Sequence, residues 1–189
     1  MRAPALPWRA RLVAALSELA PDPGAVSGTP AAVLVAVFVA DDQPWCWLMR
    51  RAAHLRQHPG QVSLPGGKPE PGDAGLLATA LREAHEEIGL EPAAVDVLGE
   101  MPPRLTSTRF RVTPFVGLIA ADFRPIVQPG EVGRAFAAPL RLFTPDGALR
   151  VPPTAPERGP VPSYLTDDGE VVWGATAAIL HRLAAALGP

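Results

Sequence analysis

The sequence predicts an α/β fold in which helices cover a largely buried sheet. Two observations support this prediction: segments of helical periodicity alternate with short apolar runs, and the strongest run is rich in β-branched residues and apolar on both faces. With 189 residues, of which 48% are hydrophobic and 19% charged, the chain is long enough for one core but short for two. We therefore expect residues 1–189 to form a single domain.

The N-terminal part predicts one helix and two paired strands. Residues 8–19 place apolar side chains at helical spacing and are followed by two prolines, so we expect residues 1–28 to form an N-terminal helix and a linker. Residues 31–40 form an apolar run, which a short polar stretch separates from a second run at residues 45–50. Cys46, the only cysteine, lies between two tryptophans and is expected to be a buried thiol.

The remainder of the chain predicts two more helices and several strands. A helix is expected over residues 74–88, with Asp73 as its N-cap and Gly89 after its last turn. Further apolar runs predict strands at residues 95–99, 112–120, 134–138 and 171–173, and a final helix at residues 175–187. Six prolines between residues 144 and 162 predict a long loop, and loops of this kind are often functional.

Charge and hydropathy exclude several classes of partner. The chain has 17 Lys and Arg against 19 Asp and Glu, a net charge of −2, and lacks the basic excess typical of nucleic-acid-binding surfaces. The run at residues 31–40 has about half the length of a transmembrane helix, and the N-terminus lacks the apolar region of a signal peptide. We expect a soluble, cytoplasmic protein without nucleic-acid or membrane partners, and the sequence leaves its oligomeric state open.

Three carboxylates are the first candidates for chemistry. Glu83, Glu86 and Glu87 stand at positions i, i+3 and i+4 of the second predicted helix and therefore share one surface. Either this surface is a solvated acidic face, or it holds a hard divalent cation such as Mg²⁺ or Mn²⁺, which prefers oxygen ligands. The preceding glycine-rich segment, LPGGKPEPGD, can bring backbone groups close to a metal or a phosphate and favours the second interpretation.

The segment GGKPEPGDAGLLATALREAHEEIGL resembles the Nudix box, the loop–helix–loop motif of metal-dependent hydrolases that act on nucleoside diphosphates linked to another group. The second half matches at Arg82, Glu83, Ala84, Glu86, Glu87, Gly89 and Leu90. The first half departs from the pattern: the spacing from Gly67 to Arg82 is one residue longer than usual, and Asp73 stands where the family usually has Glu. The resemblance implies an α/β/α sandwich with a mixed, mainly buried sheet and a catalytic loop–helix–loop within residues 60–90.

Residues before the box indicate a branch of the family. The segment WLMRRAAHLRQHPGQVSLPGG resembles the motif typical of coenzyme A pyrophosphatases, with matches at Leu48, Arg51, Ala52, Arg56, Gly60, Pro65, Gly66 and Gly67. Met49 replaces the usual Thr and Leu64 the usual Phe, and VVWGATAAIL near the C-terminus is also similar to this branch. The resemblance implies cleavage of the coenzyme A pyrophosphate to 4′-phosphopantetheine and adenosine 3′,5′-bisphosphate.

The resemblance also implies a set of metal ligands. Glu83 and Glu87 would bind Mg²⁺ or Mn²⁺ directly. Glu86 would share a second metal ion, and the Gly67 carbonyl would complete a site. Arg82 is expected to form an orienting ion pair with one of these carboxylates, with an ordinary surface arginine as the alternative.

Recognition of the substrate, a small molecule with several phosphates, needs cationic donors. Arg51 and Arg56 can bind phosphate through two hydrogen bonds each, and Lys68, the only lysine, follows the pair Gly66 and Gly67 of the glycine-rich turn. A plain surface charge is an equally good interpretation of each of these three cations.

Glu131 is the candidate general base, because it lies near the position where several Nudix enzymes have a late catalytic glutamate. A solvated loop residue is the alternative. Trp45 and Trp47 can line a groove for the pantetheine arm, but aromatic residues in the core are the more frequent case. Two other functions stay open: a Nudix hydrolase for ADP-ribose, NADH or a nucleoside triphosphate, and a Nudix-like binding module without catalysis.

Overall fold

A computed structural model describes residues 5–19, 27–55, 58–147 and 162–188. Its helices are α1 (Ala5–Glu18), α2 (Leu76–Ile88) and α3 (Gly174–Leu187). Its strands are β1 (Thr29–Ala40), β2 (Gln43–Arg51), β3 (Val62–Ser63), β4 (Gly66–Gly67), β5 (Asp96–Glu100), β6 (Arg104–Leu105), β7 (Phe110–Leu118), β8 (Val132–Pro139), β9 (Tyr164–Leu165) and β10 (Val171–Val172). Strands and helices interleave along the chain, as the sequence predicts.

The main sheet is mixed. Its strand order is β3-β2-β1-β7-β5, and β4 pairs with β1, β6 with β7 and β8 with β2. The long central strands β1 and β7 run parallel, whereas the other pairings in this sheet are antiparallel. Strand β1 therefore has three partners, and the short strand β4 occupies the edge of β1 that β2 leaves open near its N-terminal end.

Alternate residues of β1 face two different layers. Ala31, Val35 and Val37 belong to one buried cluster together with Leu12 of α1 and Leu183 of α3. The intervening residues of β1 belong to a second cluster that includes three residues of α2: Ala80, Ala84 and Ile88. One helix thus covers one face of the sheet and two cover the other, which confirms the predicted α/β/α sandwich.

The predicted pairing of the first two strands is also confirmed. Asp41 and Asp42 connect β1 to β2 and have φ angles of 50° and 55°, with Ala40 opposite Gln43. Positive φ at both central residues is the geometry of a two-residue hairpin turn whose twist matches that of the strands. Cys46 on β2 is fully buried, and burial raises the pKa of its thiol.

Asp73 is not an N-cap, which corrects one prediction. Helix α2 begins at Leu76 instead of residue 74, and Gly75 precedes it without a side-chain cap. The Asp73 carboxylate instead accepts a hydrogen bond from the Thr79 hydroxyl at 2.8 Å. The other end of the helix is as predicted, because Gly89 has the left-handed conformation, with φ 69°, and its N–H bonds the His85 carbonyl.

Other boundaries differ slightly from the sequence prediction. The two-residue strands β3, β4, β6 and β9 carry no periodic signal and were not expected. Strand β10 pairs with β9 in a separate two-stranded sheet, and Trp173 precedes α3 instead of ending a strand. Of the predicted proline-rich loop, residues 148–161 lie outside the described ranges. Among the helices of those ranges, none combines the length and the hydropathy that crossing a bilayer requires.

Candidate active site

The site begins where the glycine pair of β4 approaches helix α2. Gly66 and Gly67 pair with Val33 and Ala32 of β1. Gly66 has φ +155°, and a Cβ atom there would lie 2.2 Å from the Ala32 carbonyl oxygen. A Cβ on Gly67 would lie 2.2 Å from Oε1 of Glu83. Only glycine therefore allows the backbone to approach both the strand and the carboxylate so closely.

Glu87 is a buried carboxylate at the point where β4 lies against α2. It is 2% exposed, and the Gly66 N–H donates a hydrogen bond to its Oε2 at 2.9 Å. Burial raises the pKa of Glu87 to about 8 and the negative charge of Glu83 acts in the same direction, whereas the Gly66 hydrogen bond and the Arg51 charge oppose this rise. The pKa of Glu83 is also raised, chiefly by burial. A cation bound between these two adjacent carboxylates would stabilise their ionised forms.

Arg82 connects the glycine-rich loop to the acidic face of α2. Its guanidinium contacts Oε1 of Glu83 at 3.1 Å and Oε2 of Glu86 at 2.9 Å. It also donates to Oδ1 of Asp73 at 3.1 Å and to the Lys68 carbonyl at 3.1 Å. The ion pair to Arg82, with the Glu70 N–H as a further donor, lowers the pKa of Asp73 to about 2. Arg82 therefore holds the loop and two carboxylates in one arrangement, and its part in catalysis stays a prediction.

Glu131 reaches the same place from a distant part of the sequence. It lies just before β8, and its carbonyl accepts a hydrogen bond from the Ala52 N–H at 2.8 Å. Its negative charge contributes to the raised pKa values of both Glu83 and Glu87. The structure therefore brings Glu131 near the two carboxylates, and its role as a base stays a prediction.

Arg51 lies at the end of β2, beside a register shift in the pairing with β8. Its positive charge lowers the pKa of Glu87, and its backbone N–H donates a hydrogen bond to the Gln61 carbonyl at 3.0 Å. The Nε atom of Arg51 is buried and has no hydrogen-bond partner among the residues that the structure describes. A buried donor beside a carboxylate site, without a partner of its own, is suited to an anionic ligand.

The other predicted substrate contacts are placed differently. Arg56 lies outside the described residues. Lys68 is exposed, with its Nζ 5.1 Å from the centre of the Phe110 ring. Trp47 packs in an aromatic cluster, with its ring 5.7 Å from that of Phe38 and 6.0 Å from that of Phe123. This cluster lies against the core of the α2 layer, as the sequence leads one to expect of most aromatic residues.

The donor set fits Mg²⁺ or Mn²⁺. The available groups are hard oxygens, namely the carboxylates of Glu83 and Glu87 and the backbone of Gly67, which has no side chain to fill the space beside Glu83. In the described part of the chain, no three acidic, histidine or cysteine side chains are close enough together to enclose an ion by themselves. A Mg²⁺ ion commonly takes one or two carboxylates and completes its shell with water and substrate phosphates, so such an enclosure is not required.

Gln128 is a polar residue beside Glu131 that neither sequence motif marks. Gln128 accepts hydrogen bonds through Oε1 from the N–H groups of Gly130 and Glu131. The only sequence signal is the turn-forming pair of Pro129 and Gly130 that follows it. This pair predicts a turn, but it does not reveal that the turn lies against α2.

Comparisons with known proteins identify the family that this sequence resembles. The family model described as NUDIX domain matches residues 28–163. The chain is 40% identical over 171 residues to an Enterobacter protein named "Uncharacterized Nudix hydrolase NudL", covering 84% of this chain and 82% of that protein. It is 41% identical over 172 residues to the protein of the same name from Yersinia enterocolitica, covering 87% and 85%.

Similarity extends to a plant protein and to solved structures. The chain is 39% identical over 181 residues to Nudix hydrolase 15, mitochondrial, of Arabidopsis thaliana, covering 89% of this chain and 62% of that protein. A Deinococcus radiodurans structure aligns with a TM-score of 0.50 at 18% identity, covering 86% of this chain and 87% of that one. A Nudix hydrolase from M. smegmatis aligns with a TM-score of 0.50 at 20% identity, covering 60% and 71%. These structural likenesses support the fold.

Proposed function

This chain belongs to the Nudix hydrolase family, and on that premise we propose that it cleaves the pyrophosphate bond of coenzyme A to 4′-phosphopantetheine and adenosine 3′,5′-bisphosphate. The coarser function, a Nudix pyrophosphohydrolase acting on a nucleotide-like small molecule, follows from the family. One observation carries the finer proposal, and it concerns Arg51, from the motif typical of coenzyme A pyrophosphatases. The charge of Arg51 lowers the pKa of Glu87 in the box, and its buried Nε atom has no hydrogen-bond partner among the described residues.

We propose that Glu83, Glu87 and the Gly67 carbonyl hold the divalent cation, with Glu86 contributing to a second ion. When bound, Mg²⁺ or Mn²⁺ neutralises charge on the pyrophosphate oxygens and makes phosphorus more electrophilic. The Gly66 N–H keeps the Glu87 carboxylate in place through its hydrogen bond. Arg82 does the same for Glu83 and Glu86 through its ion pairs.

The remaining residues would act on water and on the substrate. Glu131 would accept a proton from the attacking water through its carboxylate, which its position near Glu83 and Glu87 supports. Arg51, Arg56 and Lys68 would bind substrate phosphates. Arg51 is the best supported of these three, because it is the one whose charge acts on a box carboxylate.

A substrate panel tests the proposal. Purified protein is incubated with Mg²⁺ or Mn²⁺ and coenzyme A, ADP-ribose, NADH or dGTP, and the products are identified by mass. We expect coenzyme A to be the fastest substrate and to give 4′-phosphopantetheine, with the Glu87→Gln protein as a control of strongly reduced activity. Faster turnover of ADP-ribose or a nucleoside triphosphate would leave the family in place and reject this branch. Binding without turnover of any substrate would favour a non-catalytic module.

A further inference from the structure

We propose that Gln128 is a positioning residue that holds Glu131 beside the carboxylates of α2. The inference rests on the proposed role of Glu131 as the general base. Gln128 begins a turn at the end of the segment that connects β7 to β8. Among the described residues, it forms no hydrogen bond with the glycine-rich loop or with Arg82. Neither motif recognised in the sequence includes it.

Gln128 closes the turn that presents Glu131. Its side-chain Oε1 accepts a hydrogen bond from the Glu131 N–H at 3.1 Å and another from the Gly130 N–H. Its backbone carbonyl accepts from the same Glu131 N–H at 3.1 Å and from the Val132 N–H at 2.8 Å. One residue thus binds three successive amides, and the Glu131 amide is shared between two oxygens of that residue.

The turn is fixed to its surroundings on two sides. The Gln128 N–H donates to the carbonyl of Glu87 at 3.0 Å, which ties the turn to the end of α2. On the other side, the Ala52 N–H donates to the Glu131 carbonyl at 2.8 Å, and Nε2 of His54 lies 3.1 Å from the Gly130 carbonyl. Glu131 is therefore held between the helix that carries Glu87 and the segment that follows Arg51.

The side chain of Gln128 is exposed, so it adds little to the core. Its two hydrogen bonds fix the peptide groups on either side of Gly130. A base acts efficiently only when its oxygen stays within hydrogen-bond reach of the water proton, and small displacements reduce the rate. We therefore expect loss of these hydrogen bonds to lower kcat while leaving KM and thermal stability close to wild type.

Two substitutions at one position separate the acceptor from the rest of the side chain. Gln128→Met keeps the length but removes the acceptor, and it should lower kcat about tenfold. Gln128→Glu keeps an acceptor oxygen at the same reach, so it should restore kcat to within about threefold of wild type. The substrate is whichever compound of the panel the wild-type protein turns over fastest.

A second pair of variants reaches the same contact from its other side. A Cβ on Gly130 would lie 2.9 Å from Oε1 of Gln128, so Gly130→Ala pushes the end of this flexible side chain away from the N–H groups that it binds and should reproduce the loss in kcat. Gly133→Ala is the matched control, because a Cβ there meets its nearest atoms at 3.6 Å, an ordinary contact. We expect wild-type kinetics from Gly133→Ala.

The final experiment separates failure of this inference from failure of the proposed function. In a Glu131→Gln background, Gln128→Met should cause no further loss of kcat, because the carboxylate that it positions has gone. Hydrogen–deuterium exchange of the amides at residues 130–132 gives a readout independent of turnover, and Gln128→Met should accelerate it while Gln128→Glu should not. Full activity of Glu131→Gln would reject Glu131 as the base, and no turnover of any compound by wild type would reject the proposed function. In either case, amide exchange would still decide whether Gln128 holds the turn that carries Glu131. Unchanged exchange in Gln128→Met, or a loss that Gln128→Glu fails to restore, would overturn the inference.

Discussion

Helices α2 and α3 have nearly equal lengths and cover opposite faces of one sheet, yet their buried faces differ in charge. Helix α3 buries Ala177, Ile179, Leu180 and Leu183 and one polar but uncharged residue, Thr176. Helix α2 buries Ala80, Ala84 and Ile88 but also two polar residues, Thr79 and Glu87. The face of α3 toward the sheet is therefore a packing surface, whereas the buried face of α2 also carries a carboxylate.

The two helices are also attached differently. Neither helix has a side-chain N-cap, but the first turns of α2 are joined to the preceding loop through the contacts of Thr79 and Arg82 with Asp73. These contacts connect α2 to the glycine pair that lies against its carboxylates. We infer that α3 mainly supplies stability, whereas α2 gives up some stability so that a charged group lies inside the site.

The largest expected effect is on stability and concerns α3. Leu183 is fully buried, so Leu183→Ala should lower the free energy of unfolding by about 2–5 kcal/mol through lost burial and a cavity. Urea denaturation measures this loss, and kcat of the folded fraction should stay close to wild type. A matched change on α2, Ile88→Ala, should also destabilise but should reduce kcat as well, because Ile88 anchors the turn that carries Glu87. Equal kinetic effects of the two variants would contradict the division of roles.

The second prediction concerns the charge on α2. Glu87→Gln keeps the size of the side chain and most of its helix propensity but removes a charged ligand, so kcat should fall by on the order of 10² or more, about 2.7 kcal/mol. Steady-state kinetics at saturating Mg²⁺ measure the loss, and a thermal melt confirms that the variant is folded. Near-wild-type turnover of a folded Glu87→Gln protein would remove this residue from the metal site.

The third prediction extends the comparison to the motif before the box. If Arg51 binds the 3′-phosphate of coenzyme A, Arg51→Ala should lower kcat/KM about 10- to 100-fold for coenzyme A and leave dephospho-coenzyme A nearly unchanged. Arg50→Ala is the neighbouring control, since Arg50 is exposed and pairs with Glu170 at 3.5 Å. Equal losses for both substrates would mean that Arg51 binds the pyrophosphate instead.

The sequence was most informative where function is carried by local spacing. The positions of Glu83 and Glu87 on one helix follow from helical periodicity, and Gly89 marked the end of that helix correctly. The α/β class follows from apolar runs that are buried on both faces. These features depend on neighbours in the sequence, so a sequence pattern can show them.

What the sequence did not show depends on contacts between distant segments. Asp73 looks like an N-cap locally, but the loop geometry gives its carboxylate to Thr79 and Arg82. The strand β4 has two residues and exists only because β1 lies beside it. Likewise, the contact between Gln128 and the end of α2 joins residues some 40 positions apart. No periodicity in the chain marks such pairings.

The smallest expected effect is a pH dependence that distinguishes α2 from α3. Burial raises the pKa of Glu87 to about 8 from an ordinary value of 4.5. Between these values the metal-free folded protein holds a proton that the unfolded chain has released, so stability falls as pH rises from about 4.5 to about 8. Below this window both states are protonated, and above it both are ionised, so the contribution of Glu87 no longer changes.

Glu87→Gln isolates that contribution, because glutamine stays neutral throughout. A pKa shift of this size sets an upper limit of several kcal/mol on the loss of unfolding free energy. Because relaxation and water entry on ionisation reduce this loss, we expect it to be about 1–2 kcal/mol between pH 5 and pH 8. In EDTA, the variant should melt close to wild type at pH 5 and several degrees above it at pH 8. Added Mg²⁺ at pH 8 should stabilise wild type more than the variant, because the ion takes the place of the proton. A difference in melting temperature that does not change with pH would show that the Glu87 carboxylate is ionised in the folded, metal-free protein at pH 5, and α2 would then give up no stability for its charge.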